Sequence, residues 1–385
     1  MNHRVYTFLT ITFVSASALF AEGPGPASAP TTRPQIVAAD FKDLLPFFSP
    51  PEKWKGNIGA YRSVMKFDDG SEVKTRADWP RRRAEILKYW HGMMGQWPAL
   101  VEKPHSKEIS SEHVENFTRR KIQLETSEGK FQTGYLHIPD GTGPFPAVIV
   151  VFYDPESGAG LVEKQLGVVD WGYQLSRRGF VTLSLGGVPA GPKSIQPLSW
   201  MAYCAANANT FLRLLPQVDP LRVAIIGHSF GGKWSMFASC LDERFACAVW
   251  CDPGIVWNEK DANANYWEPW YLGYDSTLPK QRREGVPSEI KPRTGPYKQL
   301  IATGHDMTEL HALMAPRPFL VSGGGQDREE HWPALKSDIA LYKFLGYDGR
   351  IAMTQRAGHR PTPESNGQVL TFFDYFLKGN GASKK

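Results

Sequence analysis

Short apolar runs alternate with stretches of helical periodicity along most of the chain. Residues 147–152 are continuously apolar, which is typical of a strand buried on both faces of a parallel sheet. Residues 117–125 and 131–138 instead alternate between apolar and polar positions, with Ser-Glu-Gly between them, and predict an antiparallel hairpin. Further strands are predicted at 180–185, 223–226, 245–251, 317–322 and 351–354.

Helices are predicted between most of these strands. Thr75 and Asp78 resemble a capping box that opens a helix running to about Gly92. The other predicted helices are 164–178, 200–215, a helix after Gly232, and 367–378. Strands and helices in this order predict an α/β fold with a doubly wound, mostly parallel sheet that has an antiparallel start.

The predicted organisation is one catalytic domain at 61–385, with an N-terminal helical extension and an aromatic-rich insertion at about 255–312. Residues 22–60 form a lead-in, partly disordered because its first part is rich in Pro, Ala and Gly. Residues 1–21 have the basic start, apolar run and small-residue cleavage pattern of an export signal. A membrane anchor is the alternative, but the apolar run is short and interrupted by Thr and Ser. We therefore expect a secreted or periplasmic protein, free of the membrane after signal cleavage.

Composition and charge exclude little beyond nucleic-acid binding. A net charge of +5 over 385 residues, with no dense Lys/Arg block, does not indicate a nucleic-acid partner. The four cysteines leave two alternatives open, a Cys204–Cys240 disulfide or buried free thiols. No Cys or His spacing fits a zinc site, so neither a metal nor another cofactor is predicted.

The sequence Val-Ala-Ile-Ile-Gly-His-Ser-Phe-Gly-Gly-Lys-Trp at 223–234 carries the strongest chemical signal. A short apolar strand ends at Gly227, Ser229 follows between two glycines, and a helix can begin directly afterwards. This is the strand–turn–helix pattern that exposes a nucleophilic serine at the edge of a sheet. Glycine is expected on both sides because the tight turn leaves no room for a Cβ.

A serine nucleophile needs a base and an acid, in the chain order Ser, Asp or Glu, His. His359 follows the last strand, between Gly358 and Arg360-Pro361, and is the predicted base. Two aspartates compete for the role of acid: Asp327, in the loop after 317–322, is favoured, and Asp252, after 245–251, is the alternative.

A tetrahedral intermediate also requires hydrogen-bond donors for its oxyanion. The backbone N–H of Phe230 is the first predicted donor, because it begins the helix after the nucleophile. The second is expected in the loop after 147–152, at Tyr153.

With these residues in view, the chain resembles the glucuronoyl esterases and the acetyl-xylan-esterase-like group of the α/β-hydrolase superfamily. The matching segments are Gly-His-Ser-Phe-Gly-Gly-Lys at the elbow, Leu-Asp-Glu-Arg-Phe at 241–245, Ala-Pro-Arg-Pro at 315–318 and Gly358-His359. The resemblance implies that Lys233 contacts sugar hydroxyls, and it places the acid at Asp252. The chain departs from the glucuronoyl esterases at Phe230, where those enzymes have an arginine.

The insertion includes a segment at 257–273 that is dense in aromatic and amide side chains. Aromatic faces stack on sugars or acyl groups, so Trp267 and Trp270 are predicted to contact substrate. The predicted function is that of a secreted serine carboxylic-ester hydrolase acting on acetyl or uronoyl esters linked to plant-type polysaccharide. A peptidase of the same fold and a non-catalytic binding protein are the alternatives.

Overall fold

The computed structural model describes residues 36–56, 59–283 and 285–379, and a nine-stranded mixed sheet lies at the centre of this part of the chain. The strands are β1 (Ser106–Val114), β2 (Phe117–Ser127), β3 (Lys130–Pro139), β4 (Phe145–Phe152), β5 (Val181–Gly186), β6 (Val218–His228), β7 (Cys247–Cys251), β8 (Phe319–Ser322) and β9 (Ile351–Thr354). Their spatial order is β1-β2-β3-β5-β4-β6-β7-β8-β9. Strands β1 to β3 pair antiparallel, β3 joins β5 antiparallel, and every other pairing is parallel. The predicted fold class is confirmed.

Helices cover both faces of this sheet. The α-helices are α1 (Phe41–Leu44), α2 (Trp79–Met94), α3 (Pro155–Gly158), α4 (Trp171–Arg177), α5 (Pro197–Leu214), α6 (Phe230–Leu241), α7 (Gly295–Ala302), α8 (Met307–Ala312), α9 (Trp332–Leu345) and α10 (Pro363–Phe373). Short 3₁₀ turns lie at Leu45–Phe48, Glu52–Trp54, Arg76–Asp78, Glu163–Gln165 and Glu329–His331, and a π-helical turn at Asp374–Lys378 continues α10.

Strand β4 illustrates how the sheet separates two apolar cores. Alternate side chains of a strand point to opposite faces. Ile149 and Val151 accordingly enter the core that includes residues of α5 and α6. Val148 and Val150 enter the other core, which includes residues of α4 and α10. Burial on both faces explains why this strand is an unbroken apolar run in the sequence.

Two elements differ from the sequence-based expectation. Strand β1 was not predicted because it has an almost wholly exposed polar sequence, with no apolar alternation, and lies at the edge of the sheet. The helix predicted at 164–178 is shorter. Gly167 adopts a left-handed φ of 72° and separates the turn at Glu163–Gln165 from α4.

The start of α2 follows the predicted capping pattern. The carboxylate of Asp78 accepts hydrogen bonds from the backbone N–H of Thr75 at 2.8 Å and of Lys74 at 3.1 Å. These bonds satisfy donors just before the helix that would otherwise lack a partner.

The predicted export signal at 1–21 and the start of the lead-in lie outside the described residues. From residue 36 onward the lead-in packs on the C-terminal helical segment, where the ring of Phe41 stacks on Tyr375 at 3.4 Å. Among the residues described, no helix has the length and apolar content to span a bilayer. All four cysteines are free and buried, so of the two alternatives, a Cys204–Cys240 disulfide or buried free thiols, the structure contains the free thiols.

The N-terminal extension is joined to the insertion by buried charges. Arg82 on α2 donates to Glu309 on α8 at 2.9 Å, and both side chains are almost fully buried. Glu309 also contacts His305 Nδ1 at 2.5 Å, and Arg82 donates to Asp68 at 2.8 Å. Removing one partner of such a pair leaves a buried charge without compensation.

Replacing this arginine should therefore destabilise the protein. We expect Arg82→Leu to lower the free energy of unfolding by about 3 kcal/mol, measured by chemical denaturation. Arg81→Leu is the control, because Arg81 is exposed, covers the ring of Phe67 at 3.7 Å and has two aspartates that are not buried, Asp69 and Asp78, as its charged neighbours. It should cost less than about 1 kcal/mol. Equal losses in the two variants would contradict a structural role for the buried pair.

Candidate active site

Ser229 occupies a strained turn between β6 and α6. Its backbone has φ 55° and ψ −110°, a left-handed φ that residues other than glycine rarely adopt. Its N–H donates to the carbonyl of Cys251 at 2.9 Å, and its own carbonyl accepts the first helical bond from Lys233. The turn is thus fixed to the end of the neighbouring strand, as expected for a nucleophile elbow.

The glycines around Ser229 have the steric reason that the sequence predicts. A Cβ on Gly231 would lie 2.0 Å from the carbonyl oxygen of Val151. A Cβ on Gly227 would lie 2.1 Å from the carbonyl oxygen of Gly231. Helix α6 can approach β4 and β6 this closely only because both positions lack a side chain.

His359 is paired with Asp252. Its Nδ1 lies 2.5 Å from Oδ2 of Asp252, which is fully buried, whereas the histidine side chain is 39% exposed. Asp252 follows β7 directly and also has a left-handed φ, 53°. Because β6, β7, β8 and β9 are consecutive neighbours in a parallel array, the loops that carry Ser229, Asp252, Asp327 and His359 open at the same edge of the sheet.

The surroundings keep Asp252 ionised. Burial alone would raise the pKa of this carboxyl, but the hydrogen bond with His359 and the charge of Arg356 outweigh it. Together with the N–H of Asp327 they hold the pKa of Asp252 below its ordinary value. A carboxylate in this state can fix the tautomer of a histidine and stabilise its positive charge.

Asp327, the acid that the sequence favours, is not the aspartate that contacts His359; the alternative, Asp252, is. The carboxylate of Asp327 accepts the backbone N–H groups of Gly254 at 2.9 Å and Ile255 at 2.6 Å. Its own N–H donates to Asp252 at 2.8 Å. Asp327 therefore braces the loop that carries Asp252, and Asp252 contacts the histidine.

Arg356 is a residue that the sequence reasoning missed. Its guanidinium donates to the carbonyls of Ser322 at 2.8 Å, Gly323 at 3.0 Å and His359 at 2.6 Å. It also lies 3.8 Å from Asp252 Oδ2. These bonds tie the His359 loop to the end of β8. Arginine in a loop after a strand carries no signal in a single sequence, because its partners are backbone carbonyls from distant positions.

His228 lies beside His359 without being charged. The two ring centroids are 4.5 Å apart, and the Nδ1 of His228 lies 3.3 Å from the Cys251 carbonyl. Burial, with smaller contributions from His359 and Arg356, lowers the pKa of His228 to about 3. Because the His228 ring is neutral, it does not repel a positive charge on His359.

The two residues predicted to supply oxyanion donors are neighbours. The rings of Tyr153 and Phe230 stack with centroids 4.8 Å apart. Phe230 is the first residue of α6, where backbone N–H groups have no partner within the helix and the helix dipole favours negative charge.

Lys233, which the resemblance places in contact with sugar hydroxyls, does not lie on the surface of the site. The side chain is almost fully buried, its ammonium donates to the carbonyl of Pro253, and it lies over the ring of Tyr266 at 4.6 Å. Burial lowers the pKa of Lys233 to about 8, against the opposing charges of Asp327 and Asp252. The buried lysine thus anchors the loop after Asp252 through the Pro253 carbonyl.

The two predicted tryptophans differ in position. Trp267 is buried, and its indole N–H donates to the Gly285 carbonyl at 3.2 Å, so the contact that the structure gives its polar atom is an internal one. Trp270 is half-buried and lines an apolar pocket of about 290 Å³ together with Phe230. A larger cleft of about 950 Å³ lies on the side of His359 and is lined by polar residues of the insertion.

The described residues contain no group of three or more His, Cys, Asp or Glu side chains arranged to hold a metal ion.

Two family models match parts of the chain. Residues 105–259 match the esterase FrsA-like family, and residues 204–378 match the prolyl oligopeptidase family. A search of curated proteins gave no significant match.

Solved structures of esterases share the fold over most of their length. A glucuronoyl esterase from Solibacter usitatus aligns with TM-score 0.65 and 18% identity, over 83% of this chain and 98% of its own. A CE15 glucuronoyl esterase from Teredinibacter turnerae aligns with TM-score 0.62 and 19% identity, over 81% and 88%. A glucuronoyl esterase from Sporotrichum thermophile gives 0.53 and 16%, over 86% and 92%.

The resemblance stated from the sequence is confirmed at the level of fold and broad chemistry. The chain has the α/β-hydrolase fold, and its matches to esterases support a carboxylic-ester hydrolase.

Proposed function

We propose that the protein is a serine esterase in which Ser229 is the nucleophile, His359 the general base and Asp252 the acid. The observation that carries the proposal is the 2.5 Å contact between His359 and buried Asp252, on loops next to the strained turn of Ser229. Nucleophile, base and orienting carboxylate in this chain order are the groups that acyl transfer requires.

The reaction follows from the chemistry of these groups. His359, with Nδ1 held by Asp252, takes the hydroxyl proton of Ser229 on Nε2 as the serine oxygen attacks the ester carbonyl. The N–H groups of Phe230 and Tyr153 stabilise the oxyanion of the tetrahedral intermediate. The C–O bond of the ester then breaks, and His359 passes the proton to the leaving alcohol. Water, activated by His359, hydrolyses the acyl-enzyme and regenerates Ser229.

Two residues have supporting positions in this scheme. Arg356 is a positioning residue that holds the His359 loop through the carbonyls it binds. His228 packs beside His359 and is neutral, so it does not repel the imidazolium that forms on His359 during the reaction. The charge of that imidazolium is balanced by Asp252.

The proposed substrate is an ester linked to a plant-type polysaccharide, with an acetyl or uronoyl group as the first expectation. The esterase match and the fold shared with glucuronoyl esterases support this class. The wide polar cleft beside His359, with Asn258 and Asn263 in its lining, offers hydrogen bonds for sugar hydroxyls. Such a substrate agrees with a secreted or periplasmic enzyme that has lost its signal at 1–21.

Peptide hydrolysis is a second candidate because residues 204–378 match the prolyl oligopeptidase family. The same triad can cleave an amide, so this candidate differs from the first in substrate and not in the catalytic residues.

The nucleophile can be tested by labelling. Wild-type protein should hydrolyse p-nitrophenyl acetate and react with a serine-directed phosphonate, and mass spectrometry should place the label on Ser229. Ser229→Ala should lose at least about a thousandfold in kcat and should not be labelled. Ser235→Ala is the control, since Ser235 lies in the same helix and bonds backbone carbonyls. Absence of turnover and label in the wild type would favour a binding protein, and faster turnover of a proline-containing peptide p-nitroanilide than of any ester would favour a peptidase.

The acid can be tested with two matched aspartate variants. Asp252→Asn keeps the size of the side chain but removes the charge that stabilises the imidazolium, so kcat should fall by about 10³ to 10⁴-fold. Asp327→Asn should lower kcat by at most about tenfold, because Asp327 contacts backbone N–H groups and not His359. Steady-state kinetics on p-nitrophenyl acetate, with circular dichroism as a check on folding, measures both. If folded Asp327→Asn lost more kcat than Asp252→Asn, the assignment of Asp252 as the acid would be overturned.

A further inference from the structure

Two cavities of different character adjoin residues of the candidate site, one at Phe230 and the other at His359. The smaller, about 290 Å³, includes Phe230, the residue after Ser229, and does not include His359. The larger, about 950 Å³, includes His359 and does not include Phe230. Because Phe230 follows Ser229 and His359 is the proposed base, these two cavities are the candidates for the two halves of an ester held at Ser229.

The smaller cavity, which we call the Phe230 pocket, has a mainly apolar lining from three parts of the chain, to which the exposed Lys193 and Lys280 also belong. Its walls include Pro189, Trp200 and Met201 near the start of α5, Phe230 on α6, and Trp270 and Tyr274 in the insertion. No carboxylate lines it. Its volume lies at the lower end of the range for small-molecule sites and suits one ring-sized group.

Several polar groups in these walls and directly next to them bind one another. The indole N–H of Trp200 donates to the Pro189 carbonyl at 2.8 Å. Gln196 exchanges two hydrogen bonds with the backbone of Tyr274, at 3.0 and 3.2 Å. These bonds join the α5 side of the pocket to the insertion, and they leave mainly apolar surface for a ligand.

The larger cavity has the opposite chemistry. Its lining includes the carboxylates of Asp261, Asp306 and Glu330, and the amides of Asn258 and Asn263. These groups accept and donate hydrogen bonds, as a polyhydroxylated ligand requires. The lining holds four carboxylates, with Glu259 as the fourth, against the two cations of Lys260 and Arg328, and this excess of negative charge disfavours a ligand that is itself an anion.

The mechanism decides which half of the ester enters each cavity. His359 gives its proton to the leaving oxygen, so the alcohol must depart on the side of His359. The acyl group stays on Ser229 and extends away from the histidine, towards Phe230. We propose that the acyl subsite is the Phe230 pocket and that it takes an apolar, ring-sized acyl group, while a neutral sugar is the leaving alcohol.

This inference rests on the proposed esterase function, and it replaces the acetyl or uronoyl group expected first with an apolar acyl group. The substrate is then a sugar hydroxyl acylated by an apolar acid. In a glucuronoyl ester the sugar acid is the acyl half and would have to enter the apolar pocket. Phe230 forms part of that mainly apolar lining.

Two pairs of esters, with an aromatic ring added to the acyl half in one pair and to the alcohol half in the other, test the assignment. The first pair is methyl β-xyloside carrying an acetyl or a phenylacetyl group, and the second is the methyl or benzyl ester of methyl glucuronoside. We expect the ring to raise kcat/KM at least about tenfold in the first pair, through burial in the Phe230 pocket, and to give no gain in the second. A phenylacetyl-to-acetyl ratio of one or less, or a gain only from the benzyl alcohol, would overturn the proposal.

Two pocket variants supply an independent readout. Trp270→Ala removes a wall, and Ala190→Trp fills the pocket from an exposed position in its lining. Each should lower the phenylacetyl-to-acetyl ratio of kcat/KM at least about fivefold, because each reduces the burial of the ring. Ile290→Ala, at a highly exposed site in the insertion, is the control and should leave the ratio unchanged. Ratios that do not change in any variant would refute the location of the subsite.

Failure of this inference can be separated from failure of the proposed function. If Ser229→Ala hydrolyses the xyloside esters as fast as the wild type, the esterase assignment itself is wrong. If hydrolysis depends on Ser229 but the ring brings no advantage, only the assignment of the acyl subsite is wrong.

Discussion

The contact between His359 and Asp252 is the interaction on which the candidate site depends. The two residues lie on different loops at the edge of the sheet, so the contact requires both loops to be fixed. Two carboxylates join the Asp252 loop to the Asp327 loop: Asp252 accepts the N–H of Asp327, and Asp327 accepts the N–H groups of Gly254 and Ile255. Arg356 then ties the histidine loop to the end of β8. Such mutual bracing suits a triad, because catalysis loses efficiency when the groups move by even 1 Å.

The sequence predicts the sheet and the elbow well, since both depend on local patterns. Apolar runs identify the buried strands, and the glycines beside Ser229 are required by contacts below 2.5 Å that any Cβ would make. The edge strand β1 escapes prediction because its polar side chains need no burial. The choice between Asp252 and Asp327 also escapes, since both follow neighbouring strands and only the direction of each side chain distinguishes them.

Burial decides the role of several residues that the sequence alone favours as substrate contacts. Lys233 and Trp267 have suitable side chains, but their polar atoms bind backbone carbonyls in the interior. Lys233 nevertheless bears on the site, because the carbonyl it holds belongs to Pro253, next to Asp252. Trp270, only three positions after Trp267, reaches a cavity. A resemblance between motifs therefore predicts the backbone of the elbow better than it predicts which side chains are accessible to a substrate.

The most direct test of the account is a crystal structure of the protein after reaction with a serine-directed phosphonate that carries one phenyl group. We expect phosphorus bonded to Oγ of Ser229, its oxygen within hydrogen-bond distance of the N–H groups of Phe230 and Tyr153, and Nδ1 of His359 on Asp252. The phenyl group should lie in the Phe230 pocket. An adduct on another residue, or His359 turned towards Asp327, would contradict the account.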